Sequence, residues 1–309
     1  MSTLASKIER DFLVNKIWFK NLIIYDFQQA FSLSLDNLQT RLDNVSFRPC
    51  GDYEWASMGW IPPVPQESES LVYAANECFM FCARKQEKIL PPAVIRDFVA
   101  DKIAQIEAEE HRKVNKREKN NIKEQITMDL LPRAFPRNSE LAAYLDMKNQ
   151  WLVIDTASRK KAEEFVSLLR KTLGSLPVTP PHTLKSPATV MTNWLDAQEL
   201  PQDFEFGEDC KLVAEEGESV TCKQLDLTSS EVIQHVKTGK LVQNLALHWQ
   251  EKIEFILDEE LIIKRLKFSD IVEERLDEDS SGDFSIMTLE IANFLPKLFK
   301  VFGGLQPNE

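Results

Sequence analysis

Between Pro91-Pro92 and Pro132 the chain carries two helix-length runs with very little apolar surface to bury them. The prolines set the boundaries, since proline opens a helix readily at its first position but cannot continue one. In the first run Val94, Phe98, Val99, Ile103 and Ile106 recur at intervals that suit one helix face, and the pattern turns polar near Glu109. In the second run Ile122, Ile126 and Leu130 follow at helical spacing. So thin a stripe cannot form a core of its own. Residues 91–136 are therefore expected to make a helical hairpin that projects from a sheet-containing body and needs a second helix pair to cover it, which favours self-association.

The same region is basic. From His111 to Arg137, eight lysines and arginines stand against three acidic residues, a local charge of +5 on a chain of net charge −12. A concentrated patch sets the local field even when the net charge has the opposite sign, so this stretch is a candidate surface for a polyanion. The alternative is a helix face that simply meets water.

The body around the hairpin has the elements of an α+β fold. Residues 18–27 form a strand-length aromatic and β-branched run, and residues 34–45 carry Leu35, Leu38 and Leu42 at helical spacing, with Ser34 or Asp36 as a cap. Pro62, Pro63 and Pro65 make residues 58–65 an irregular turn, and strands are expected at 70–75 and 78–84. Beyond the hairpin, residues 151–155 suggest a strand and 158–173 a helix that stops at Gly174. A strand pair follows at 210–214 and 219–224. The order strand, helix, strand, strand thus occurs twice, which makes a duplicated sheet-and-helix central region plausible.

Thr228 with Glu231 three positions on has capping-box spacing for a helix over 228–238. Residues 241–249, 252–257 and 261–268 suggest a three-strand meander. A final amphipathic helix over 285–302 contains Pro296, which predicts a kink or break. The expected division is an N-terminal extension at 1–16, a first central part at 17–90, the hairpin tip at 91–136, a second central part at 137–225 and a base region at 226–309.

Motifs for catalysis are missing from the sequence. There is no Walker loop, GxGxxG, GxSxG or HExxH, and the four histidines are scattered without CxxC or HxxxH spacing. Five cysteines are an odd number, which argues against a disulfide framework, and Cys78 and Cys82 fit one face of a buried strand. Asp277, Asp279, Ser281, Gly282 and Asp283 imitate the start of a calcium loop, but Thr288 stands where a bidentate Glu is required. No enzyme activity, metal or cofactor is expected. No apolar run reaches the roughly 20 residues that span a bilayer, and the mixed charges of residues 1–16 do not fit a secretory signal, so a cytoplasmic location is expected.

Several ordered blocks resemble the bacterial recombination-associated RdgC family. They include Trp18-Phe19-Lys20-Asn21-Leu22, Met58-Gly59-Trp60-Ile61-Pro62-Pro63, Cys82-Ala83-Arg84-Lys85-Gln86-Glu87-Lys88-Ile89-Leu90-Pro91 and Leu130-Leu131-Pro132-Arg133-Ala134-Phe135. Further blocks are Leu173-Gly174-Ser175-Leu176-Pro177-Val178, Asp226-Leu227-Thr228-Ser229 and Lys264-Arg265-Leu266-Lys267-Phe268. The resemblance implies a nucleoid-associated, DNA-binding homodimer whose curved subunits close a ring around duplex DNA, tip to tip and base to base, and restrain the RecA recombinase by competing for DNA. Single-stranded DNA is a further candidate ligand. Residues 1–16 precede the point where the family usually begins, and the loop near Ser280 is shorter than in relatives.

On this reading the cations that neutralise phosphates are drawn from Arg84, Lys85, Lys88, Arg112, Lys113, Lys116, Arg117, Lys119, Lys123, Arg133, Lys223, Lys264, Arg265 and Lys267. Strand alternation puts Arg265 and Lys267 on one face of 264–268 and Lys264, Leu266 and Phe268 on the other, and favours the first pair for a solvated surface. Phe135, at an exposed helix end, is the candidate anchor of the tip contact, unless it folds back against its own helix. The rival reading is a scaffold whose basic hairpin recognises an acidic protein, inhibiting recombination by direct contact with the recombinase.

Overall fold

The structure, a computed structural model, describes residues 17–65, 68–269 and 280–306. Two antiparallel sheets and seven helices among these residues make an α+β fold. The larger sheet runs β2 (Ala56–Ile61), β4 (Cys78–Ile89), β5 (Phe135–Asp146), β6 (Trp151–Ile154), β1 (Ile23–Phe27) and β7 (Val178–Thr179), with β3 (Tyr73–Ala75) also paired to β4. Both faces of its central part are buried, so β1, β6 and the inner halves of β4 and β5 are apolar on both sides. Trp151 and Val153 face one core while Leu152 and Ile154 face the other, as period-2 geometry requires.

One face is covered by α1 (Leu35–Asp43) and α4 (Arg159–Leu173), which bury Leu38, Leu42, Phe165, Val166 and Leu169. Ser34 caps α1 by accepting from the Asn37 N–H, and Ser158 does the same for α4 from the Lys161 N–H. Gly174, at φ +77°, ends α4 in the left-handed region that glycine enters at no steric cost. The other face packs on α7 (Ser280–Val301), and α7 in turn packs on the second sheet.

That second sheet has the order β12 (Ile263–Phe268), β11 (Ile253–Asp258), β10 (Leu241–Trp249), β8 (Phe204–Val213) and β9 (Ser219–Cys222). Helices α5 (Pro187–Ala197) and α6 (Ser230–Lys237) contribute Met191, Leu195 and Val232 to the same core. Aromatic rings join the layers through α7. Phe284 and Phe299 meet Tyr144 and Trp151 of the larger sheet at 5.9 and 6.0 Å, while Phe294 lies 4.9 Å from Phe255 and 5.3 Å from Trp249 of the smaller one. The chain itself also links the sheets. Leu22 exchanges backbone hydrogen bonds with Ile263 at 2.8 and 3.0 Å just before β1 begins.

Several expectations are corrected. Residues 58–61 belong to β2, because backbone pairing to β4 on one side and to residues 45–47 on the other outweighs the prolines that follow. Helix α7 continues through Pro296; burial against two sheets outweighs one lost backbone bond. Thr228 does not cap α6. Its hydroxyl donates to Asp226 Oδ1 at 2.7 Å, and Ser229 takes the N-cap position. The first strand starts at Ile23, leaving Trp18 and Phe19 as buried core residues. The second strand, helix, strand, strand run is shared between the sheets, with β6 in the larger and β8–β9 in the smaller. Asp277 and Asp279 of the calcium-like run lie outside the described residues, as does the extension at 1–16.

Candidate nucleic-acid interface

Strands β4 and β5 pair along their full length, from Cys78 opposite Asp146 to Ile89 opposite Phe135. Strand β6 pairs β5 only over Ala143–Asp146, so the outer part of β5 has β4 on one side and no strand on the other. The ribbon leads into α2 (Pro92–Glu110) and α3 (Lys116–Leu130), the expected hairpin. At 1.5 Å per residue, the 19 residues of α2 extend about 28 Å.

The bend of the hairpin is tightly specified. His111 ends α2 at φ +51°, and Asn115 opens α3 with a reciprocal capping box: its side chain accepts from the Glu118 N–H at 3.0 Å while Glu118 accepts from the Asn115 N–H at 3.1 Å. Arg112 grips the same carboxylate with both terminal nitrogens, at 2.7 and 2.9 Å, and donates from Nε to Glu110 at 2.7 Å. The Arg112 hydrogen bond, with that of the Asn115 N–H, pulls the Glu118 pKa down to about 2.

Charge pairing divides the candidate cations. Arg84 bonds Glu140 at 2.6 Å and lies over the Phe47 ring. Lys85 sits between Glu164 at 2.8 Å and Glu87 at 2.9 Å; burial works against its charge, but these bonds leave its pKa raised. Lys88 donates to the Asp52 carbonyl at 2.6 Å. Lys264 pairs with buried Asp258 at 2.7 Å, Arg265 with Asp209 at 3.2 Å and Lys267 with Glu254 at 3.8 Å. As alternation predicts, Arg265 and Lys267 are exposed and Lys264 is half-buried.

A different set remains uncompensated. Lys113, Lys116, Arg117, Lys119 and Lys123, all at the bend or on α3, are exposed and make no ion pair among the described residues; the same holds for Arg133 and Lys223. The outward positive charge of the candidate set is therefore concentrated on the hairpin's second arm. Ion pairs within the molecule take up most of the rest.

Three further cations, absent from the sequence-based set, are Arg159, Lys160 and Lys161 in the first turn of α4, where acidic side chains usually complement the helix dipole; Arg159 pairs with Glu260. Lys160 and Lys161 line a groove of about 440 Å³ together with Lys85, Arg137, Glu87 and Glu164. The consecutive basic triplet after Ser158 was the available signal.

The hairpin's apolar residues also divide. Ile95, rather than Val94 or Phe98, is buried, and Val99, Ile103, Ile106, Ile122, Ile126 and Leu130 are half-buried. Val94, Phe98 and Met128 are exposed at the end of the hairpin nearest the ribbon, where Ile89 and Phe135 are exposed as well. Phe135 begins β5 instead of ending a helix, and at 81% exposure it does not fold back on its own chain. Its registered neighbour across the ribbon is Ile89.

Among the described residues no group of three or more His, Cys, Asp or Glu is placed to hold a metal ion, and no helix is long and apolar enough to cross a membrane. A family model described as "Putative exonuclease, RdgC" matches residues 17–305. The chain is 40% identical over 299 residues to the recombination-associated protein RdgC of Yersinia enterocolitica, covering 93% of this chain and 98% of that one. It is 39% identical over 298 residues to the protein of the same name from Aeromonas hydrophila, with the same coverage. The protein from Yersinia pestis is 40% identical over 299 residues, again covering 93% and 98%. With the family model and these relatives matching nearly the whole chain, the protein belongs to the RdgC family.

Proposed function

We propose that this protein binds DNA without sequence preference, closes as a homodimeric ring around the duplex, and limits the access of the RecA recombinase to DNA in the nucleoid. The observation that carries the reading is the run Lys113, Lys116, Arg117, Lys119 and Lys123, uncompensated on a chain whose net charge is −12. Cations that lack a carboxylate partner are free to neutralise phosphates, and phosphate contacts hold a protein on DNA without reading bases. Arg133 and Lys223 belong to the same class. Arg84, Lys85, Lys88, Arg112, Lys264, Arg265 and Lys267 would meet a phosphate from positions already engaged by a carboxylate or carbonyl.

Ring closure is supported by the apolar group Ile89, Val94, Phe98, Met128 and Phe135 at the root of the hairpin. An isologous contact needs one self-complementary patch, and exposed aromatics beside aliphatic side chains supply the usual anchor. The test is to crosslink the dimer at its contacts and compare loading on linear and nicked circular duplexes. A closed ring is expected to thread linear DNA and to be excluded from circles; equal loading contradicts enclosure.

The description attached to the family model favours one further reading, an exonuclease. Magnesium-dependent shortening of end-labelled DNA by the purified chain would replace the binding account with that one. Retention of RecA on immobilised protein after nuclease treatment would instead favour inhibition by direct contact.

A further inference from the structure

Two thiols stand directly opposite each other at the edge of the smaller sheet. The antiparallel register of β8 and β9 pairs Cys210 with Cys222. Opposed Cα atoms in such a ladder lie about 4.5 to 5.5 Å apart, within the roughly 4.4 to 6.8 Å that a disulfide spans. Opposed side chains also share one face. No other cysteine has a cysteine as its registered neighbour: Cys78 lies between Ala75 and Asp146, and Cys82 between Ile61 and Ala142. Cys210 is buried and Cys222 half-buried, and both line a cavity of about 200 Å³ with Lys211, Lys223, Lys264 and Arg265.

We propose that Cys210 and Cys222 are a reversible oxidation site, closing a cross-strand disulfide in response to a peroxide and tying β9, with the adjoining Lys223, to β8. The more accessible Cys222 thiol gives up its proton and its thiolate attacks one peroxide oxygen; the O–O bond breaks, leaving a sulfenic acid on Cys222, and the departing hydroxide takes up a proton to leave as water. The Cys210 sulfur then attacks the Cys222 sulfur, the S–O bond breaks, and the hydroxyl leaves as water with the Cys210 proton. Two thiols lose two electrons in all, and one peroxide becomes two waters. Cys222 is the more exposed of the two, which assigns the first attack to it, while burial, with the Cys222 side chain beside it, pushes the pKa of the Cys210 thiol up.

The bond formed is a labile one. Opposed Cβ atoms start about 4.5 to 5.5 Å apart and must reach roughly 3.5 to 4.5 Å. Strand β9 has four residues and is paired on one side only, so it can shift to allow this while leaving strain that favours reduction by a small thiol.

The test treats the full chain with hydrogen peroxide, alkylates it in denaturant, and digests it with trypsin without reduction. Cleavage after Lys211 separates the two cysteines, so the expected product is peptide 186–211 linked to peptide 212–223, and the count of free thiols falls by two from five. Dithiothreitol restores all five. Cys222→Ser is expected to abolish the linked peptide and Cys50→Ser to leave it. Recovery of both Cys210 and Cys222 as alkylated thiols overturns the proposal, as does recovery of Cys222 only as a higher oxide or joined to another chain.

Discussion

At the residue scale, the cations that look alike in the sequence have different jobs. Arg112 lies in the middle of the basic stretch, yet its guanidinium is committed to Glu118 and Glu110, so it shapes the bend. Glu118 has a depressed folded pKa, so its stabilising contribution is complete above its ordinary value near 4.5 and is lost as pH falls through the window from there to about 2. A carboxyl-carbon NMR titration is expected to place the Glu118 midpoint near the lower value, and Arg112→Ala to return it toward the ordinary one. Phe135 is the other decisive residue. Because its ring is exposed in the single chain, Phe135→Ala is expected to change folding stability by no more than about 0.5 kcal/mol. If the ring anchors the dimer, the same change should weaken association by about 2 kcal/mol or more, roughly 30-fold, as read by sedimentation equilibrium.

At the scale of elements, legibility followed burial. Helices α1 and α4 were readable because Ser34, Ser158 and Gly174 punctuate a one-sided apolar stripe. The meander of β10, β11 and β12 was readable because its strands alternate over a core. Strand β5 was not. Its outer half, Phe135 to Glu140, is exposed on both faces, so pairing to β4 holds it extended without any hydrophobic pattern to announce it. The inner face of α2 was only partly readable for a related reason: Val99, Ile103 and Ile106 are half-buried as expected, but Ile95 is buried and Val94 and Phe98 are exposed, and periodicity alone cannot fix the face of so thin a stripe. Helix α7 gives the strongest stability prediction. Phe294 is fully buried against Trp249 and Phe255, so Phe294→Ala is expected to cost about 3 to 5 kcal/mol in denaturant unfolding.

At the scale of the molecule, the sequence disclosed the sign of the charge and the hairpin that carries it, but not which cations are free. That depends on partners far apart in the chain: Arg84 meets Glu140 and Arg265 meets Asp209, pairs that only the folded sheets bring together. Folding therefore cancels much of the basic charge locally and leaves the second arm of the hairpin as the main uncompensated surface among the candidates. This surface is proposed to bind the phosphate backbone. The direct test is to measure affinity for unrelated duplexes across a range of salt concentrations, with the native chain and with Lys116, Arg117, Lys119 and Lys123 replaced by alanine. Equal affinity for all sequences is expected, with a steep fall with salt and a log–log slope that shrinks by about 0.9 for each replaced cation that held a phosphate. Strong preference for one sequence, binding indifferent to salt, or an unchanged slope in the substituted chain would contradict it.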